Sequence, residues 1–126
     1  MARIVVADSG LLHYLALIDC ADILQSLFYE ALIPVAVQTE LSHRGAPERV
    51  KAWLAVPKHW LSVRPVQSPH FVTGLPMGES EALQLALEAA VRSILVDDLD
   101  ARNAARQLGW PWLEQLEFSN WLAKEI

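Results

Sequence analysis

The residues best equipped for chemistry are carboxylates. Asp97, Asp98 and Asp100 follow the apolar run Ile94 to Val96 in SILVDDLD, and Asp8 follows Ile4 to Ala7 in RIVVADSG. Glu79 and Glu81 stand in GESEAL, and Glu40 in VAVQTEL. Like charges gathered in a partly dry cleft repel one another at short range. Either their pKa values rise or a cation sits among them. Hard oxygen ligands suit Mg²⁺ or Mn²⁺, which a few carboxylates and several waters hold. One or two such ions would orient a phosphodiester and activate water for in-line attack.

Each acid also has a plain structural role open to it. Asp8 stands where a strand gives way to a helix, and would cap that helix with Ser9 sharing the task. Glu40 borders the apolar stripe marked by Ala36 and Leu41, where most glutamates are merely solvated. Glu79 and Glu81 fall in a first helical turn, where the macrodipole favours negative charge. Asp97 or Asp98 would cap the next helix, but one cap needs one side chain. Asp100 fits a first-turn dipole role. Singly, these roles suffice. Together they leave acids at two strand ends, and a third acidic group opening the helix that leads into the second of those strands.

The apolar pattern predicts the elements that must position these groups. Residues 3–7, RIVVA, read as a buried strand. Helical spacing at Leu11, Leu12, Leu15, Leu17 and Ile18, and again at Ile23, Leu24, Leu27 and Phe28, predicts two helices with a corner near residue 20. Residues 31–33 are a brief strand. Pro34 opens a helix that is expected to run to Gly45, and Pro47 opens another that closes near Pro57. Residues 61–66, LSVRPV, alternate and contain Pro65, which suits a sheet edge. Residues 67–78 read as a loop. GESEALQLALEAAVR is a long helix, SILV a strand, and DARNAARQLG a helix ending at Gly109. WPWLEQLEFSNWLAKEI is expected to form a strand at Pro111 to Leu113 and then a helix. Alternating strands and helices predict an α/β fold: a mainly parallel sheet of four to five strands, covered on both faces in three α/β/α layers. Ligands of such sheets sit beyond the carboxyl ends of the strands. Asp8 and Asp97–Asp98 fall there.

The totals narrow the class. The 126 residues are expected to form a single domain, and 53% hydrophobic with 20% charged residues marks a globular chain rather than a disordered one. Cys20 is the lone cysteine, so neither an internal disulfide nor a thiolate zinc cluster can form. MARIVVADSG is not a signal peptide, and no stretch approaches the roughly 18 apolar residues of a membrane span. A cytoplasmic location is expected. A net charge of −5 weighs against a broad electrostatic grip on nucleic acid, though not against a local basic face. No GxGxxG and no P-loop is present. A phosphorylatable receiver would also gather acids at strand ends, but it needs a lysine at a late strand end, and Lys51, Lys58 and Lys124 are not so placed.

Four segments, in this order and spacing, resemble the PIN domain, in its VapC-like branch. They are IVVADSG, LIPVAVQTEL, LPMGESEALQLALE and ILVDDLDARNAARQLG. The resemblance runs from about Ile4 to Gly109. It implies a Mg²⁺- or Mn²⁺-dependent endonuclease of single-stranded RNA, commonly the toxin of a toxin–antitoxin pair. By position, Asp8, Glu40, Glu81 and Asp98 match the family's acidic quartet, with Glu79 and Asp97 as rivals for the third and fourth places. Asp8 and Asp98 would anchor the metal, Glu40 and Glu81 would bind it directly or through water, and Ser9 would hydrogen-bond a coordinated water or the phosphate. From about residue 110 the chain departs from the branch, whose members continue through a Gly-Thr-Leu-Gly type segment into further helices.

Between residues 43 and 64 the sequence collects Arg44, Arg49, Lys51 and Lys58 with Trp53 and Trp60. Cations interleaved with aromatics suit single-stranded RNA. A helix with a solvated basic side and Trp53 in the core explains them slightly better. His13 and Tyr14 are expected to serve packing. The aromatic tail, if partly exposed, would serve a homodimer or a small antitoxin protein. The competing function is a PIN-like interaction module with weak or no catalysis.

Overall fold

Strand β1 (Ile4–Ala7) is the buried run expected at the start of the chain, and it lies in the middle of the sheet. The computed structural model describes residues 4–67, 77–91, 93–95 and 117–119. After β1 come α1 (Ser9–Leu17), α2 (Ile23–Leu27), β2 (Glu30–Pro34), α3 (Val35–Leu41) and α4 (Glu48–Ala55). Then follow β3 (Leu61–Arg64), α5 (Met77–Glu88), β4 (Ser93–Leu95) and β5 (Glu117–Ser119). The strand order is β3-β2-β1-β4-β5, and every pairing is parallel.

Side-chain alternation along each strand divides the core in two. Val5, Ala7, Ala31, Ile33 and Leu95 face one side and pack with Leu12, Leu15, Leu24, Val37 and Val50 from α1 to α4. Val6, Leu32 and Ile94 face the other and pack with Ala82, Leu83 and Ala86 of α5. Val6 lies opposite Leu32 on one flank and Ile94 on the other, so the register aligns one continuous apolar row. Strands buried on both faces carry unbroken apolar runs, as IVVA and ALI do. The three-layer arrangement predicted from the sequence is therefore the observed one. No described helix is long and apolar enough to cross a membrane.

Several boundaries differ from expectation for identifiable reasons. Helix α3 stops at Leu41 rather than Gly45. Ser42 Oγ donates to Gln38 O at 2.8 Å, and His43 Nδ1 accepts from Gly45 N at 3.0 Å, so side chains take over the bonds that would continue the helix. Met77, expected in a loop, already belongs to α5, one residue before the helix expected from Gly78. That helix ends at Glu88 instead of Arg92. Ala90 N donates to Leu87 O and Val91 N to Ala86 O, with Ala90 left-handed at φ 55°. The same closure ends α1, through Asp19 N to Ala16 O and Cys20 N to Leu15 O, with Asp19 at φ 61°. That is the corner expected near residue 20. Residues 117–119 form a strand where a helix was expected, because pairing with the open edge of β4 outweighs a local helical pattern. The loop at 68–76, the helix at DARNAARQLG and the strand at Pro111 to Leu113 lie outside the described residues.

Ala90 tests this geometry. Alanine to glycine normally weakens a helix, but a left-handed residue past a helix end reverses the sign. Ala90→Gly is expected to raise unfolding free energy by about 0.5–1 kcal/mol in urea denaturation. A loss of stability would show that this turn is not left-handed in solution.

Candidate active site

Asp8 leaves the carboxyl end of β1 with extended backbone and becomes the N-cap of α1. Its Oδ1 accepts from Leu11 N at 3.0 Å, and its own N–H donates to Leu95 O at 3.2 Å. The side chain is only 1% exposed. The capping role open to it in the sequence is thus filled, at a buried strand end. One residue on, Ser9 Oγ donates to Glu40 Oε2 at 2.5 Å, tying the start of α1 to α3. Glu40 is not merely solvated: its other oxygen, Oε1, accepts from Gly78 N at 3.0 Å, in the first turn of α5. Glu81, one turn further along α5, reaches back to α3, where its Oε1 accepts from Ala36 N at 3.2 Å.

The two glutamates therefore form a reciprocal brace. Glu40 of α3 occupies the amino end of α5, and Glu81 of α5 occupies the amino end of α3. The first turn of a helix has N–H groups without intrahelical acceptors and a partial positive charge. Helix α3 needs such an acceptor because its N-cap, Pro34, makes no side-chain cap bond. The sequence assigned Glu81 to the dipole of its own helix; its carboxylate instead serves the neighbouring one. Charge-assisted bonds of this kind contribute about 1.5–3 kcal/mol in favourable settings, and exposure of Glu40 places it at the lower end.

Gly78 stands in the sequence only as the glycine entering α5, with nothing to indicate its contact with Glu40. A Cβ built there would stand 2.9 Å from Glu40 Cδ and closer still to Oε1. Only a residue without a side chain lets the α5 backbone approach this carboxylate. Its one sequence signal was a glycine directly before an acidic first turn. The amide of Ala36 had no signal at all, because backbone donors carry no sequence identity.

Asp97, Asp98 and Asp100, and the side chain of Glu79, lie outside what the structure describes. Among the described residues, no group of three or more His, Cys, Asp or Glu stands close enough to hold a metal. Ser9 connects Asp8 and Glu40: it follows Asp8 in the chain and gives its hydroxyl proton to Glu40.

A cavity of about 470 Å³ opens beside the Ser9–Glu40 pair, between α1, α3 and the start of α4. His13, Thr39, His43 and Ala46 line it. His13 and Tyr14 do not serve packing as expected; both are exposed, Tyr14 at 42%. In the basic region the cations hold the structure together. Arg49 Nη1 donates to Leu17 O at 3.0 Å. Lys51 Nζ donates to Arg44 O at 3.3 Å and pairs with Glu48 at 3.0 Å. Lys58 Nζ donates to Trp53 O and to Val56 O and sits 4.3 Å from the centre of the Trp53 ring. Burial pushes the Lys58 ammonium below its ordinary pKa, with the Asp22 charge acting the other way. Trp60 is buried and meets Trp53 at 6.2 Å between ring centres.

The family model for a PIN domain matches residues 4–113, which takes in Asp8, Glu40, Gly78 and Glu81. The chain belongs to the PIN domain family. A PilT N-terminus domain protein, SSO1118, from the hyperthermophilic archaeon Sulfolobus solfataricus P2 shares its fold. The two are 22% identical, with a TM-score of 0.55 over 90% of this chain and 91% of the other. No curated protein matches. PIN domains are typically nucleases and generally use divalent metals.

In this PIN domain the brace has a measurable signature. Alanine for glycine in a helix ordinarily gains up to about 1 kcal/mol. At Gly78 the new Cβ displaces Glu40, and the lost bonds exceed that gain. Gly78→Ala is expected to destabilise the protein in urea denaturation. In a Glu40→Ala background the same change is expected to stabilise it, by about 0.5–1 kcal/mol. An equal effect of Gly78→Ala in both backgrounds would dismiss the contact.

Proposed function

We propose that this PIN domain is a metal-dependent endoribonuclease of single-stranded RNA, and the toxin component of a VapC-like toxin–antitoxin pair. The observation that carries the reading is the Asp8–Ser9–Glu40 linkage at the carboxyl end of the parallel sheet. That edge is where ligands of open α/β sheets sit. Its donors are all hard oxygens, and Mg²⁺ needs only one or two carboxylates when waters complete its shell. Asp8 and Glu40 would hold the ion, with Asp98 beside Asp8, and with Glu81 bound directly or through water. Glu79 and Asp97 remain the rivals for the third and fourth places. When bound, Mg²⁺ or Mn²⁺ polarises a phosphoryl oxygen and lowers the pKa of water.

The chain's own residues do the positioning. The Ser9 hydroxyl and the Gly78 amide fix the two oxygens of Glu40, so its carboxylate is oriented before any ligand arrives. The cap from Asp8 to Leu11 N fixes the other carboxylate. Arg44, Arg49 and Lys51, around the first turn of α4, would meet backbone phosphates. Lys58 contributes less, because its ammonium already serves the end of α4. A small antitoxin protein and a homodimer complete this reading, with the cytoplasm as its location.

A second reading rests on a specific observation. Asp8, Glu40 and Glu81 each meet a helix amide, so the acids are compensated without a cation. That arrangement would equally suit a catalytically weak interaction module.

Asp8→Asn separates the two. Asparagine caps helices as well as aspartate does, so the variant keeps its fold. The wild type is expected to cut a single-stranded oligoribonucleotide in Mn²⁺, and Asp8→Asn to cut it at least ~100-fold more slowly, about 2.7 kcal/mol of barrier. Undiminished cutting by pure Asp8→Asn would defeat the ribonuclease reading.

A further inference from the structure

Ser9 and Glu40 form one end of the cavity, and the rest of its lining has no part in the chemistry proposed above. Its lower wall is apolar, formed by Leu41, Pro47 and Val50. One end carries the Glu40 carboxylate, which disfavours an anion inside. Its volume of about 470 Å³ falls within the range of about 300–1,000 Å³ typical of small-molecule sites. An apolar floor in a space of this size suits one planar, uncharged group.

Two imidazoles give the walls a recognition chemistry. His13 lies one turn beyond Ser9 on α1, and His43 three residues beyond Glu40. His43 Nδ1 accepts from Gly45 N at 3.0 Å. That bond occupies Nδ1 as an acceptor and leaves Nε2 as the ring's donor. Thr39 Oγ1 gives its proton to Val35 O at 3.0 Å, so the hydroxyl keeps its lone pairs as an acceptor. A donor, an acceptor and ring surfaces over an apolar floor match the edge and faces of a nucleobase. Unstacked bases of single-stranded RNA are held in this manner, by stacking on histidine and other rings and by hydrogen bonds to their edges.

We infer that this cavity is a nucleobase pocket: it takes one unstacked base from the nucleotide next to the scissile phosphate, with His13 and His43 as its walls. The inference rests on the ribonuclease reading for its neighbour, the phosphate at Asp8 and Glu40. The pocket would give the enzyme a sequence preference that the acids alone cannot supply. His13 and His43 act here on binding, not on the reacting atoms.

The test compares two fluorescein-labelled strands of equal length, hexa-adenylate and an abasic ribose-phosphate strand, by anisotropy in Ca²⁺, with strand integrity checked on gels. Wild type is expected to bind the base-bearing strand about tenfold more tightly, the low end of what stacking one base contributes. His13→Ala/His43→Ala is expected to lose that preference while holding the abasic strand within about twofold of wild type. Ala46→Leu, which fills the chamber and keeps both imidazoles, is expected to do the same. Equal binding of the two strands by wild type, a preference that survives in both variants, or no binding of either strand overturns the pocket. Cutting in Mn²⁺ is scored separately with Asp8→Asn. Absent cutting with an intact base preference removes the ribonuclease reading and keeps the pocket; intact cutting without base preference does the reverse.

Discussion

The arrangement of this molecule turns on carboxylates seated at the amino ends of helices. Parallel strands deliver their chain ends to one edge, and the helices that follow begin at that edge with unpaired N–H groups. Asp8 takes the amide of Leu11, Glu40 that of Gly78 and Glu81 that of Ala36. Each bond answers two costs at once: an amide without an acceptor, and a carboxylate held away from bulk water or at a helix junction. The cation inferred from crowded acids is therefore not the sole means of compensation. The helix ends already supply part of it, and they hold the carboxylates in fixed positions without a cation.

That compensation also explains why the brace crosses between layers. Helix α3 packs on the face shared with α1, while α5 covers the opposite face. The last turn of α3 meets the first turn of α5, and the first turn of α3 meets Glu81 one turn further along α5. Glu40 and Glu81 link them there, over separations of 38 and 45 residues. Gly78 marks the closest approach, where backbone lies directly against a carboxylate. Glu40 also lines the cavity, together with Ser9, so one side chain belongs both to the brace and to the chamber wall.

The elements with the strongest physical signal were legible in the sequence. IVVA and ALI are apolar on both faces, as central parallel strands must be, and LSVR before Pro65 sits at the edge that proline suggests. Asp8 was legible because it ends such a strand and begins a helix. Glu40 was legible only by resemblance, since its helical neighbours explain it equally well as a solvated residue. What the sequence concealed were partners made by backbone. Neither the Gly78 amide nor the Ala36 amide has a residue type to betray it. The left-handed Ala90 was hidden too, because alanine ordinarily continues a helix, and β5 because an open strand edge outweighs a local helical pattern.

A braced pair of carboxylates that waits for a divalent ion differs from one that has replaced it, and metal binding distinguishes them directly. Calorimetric titration of Mn²⁺ into the full chain, beside the same titration of Asp8→Asn and Glu40→Gln, is the measurement. The account predicts a saturable heat for the wild type that each substitution removes while circular dichroism is unchanged. No heat in the folded wild type, or equal heat in all three proteins, would contradict it.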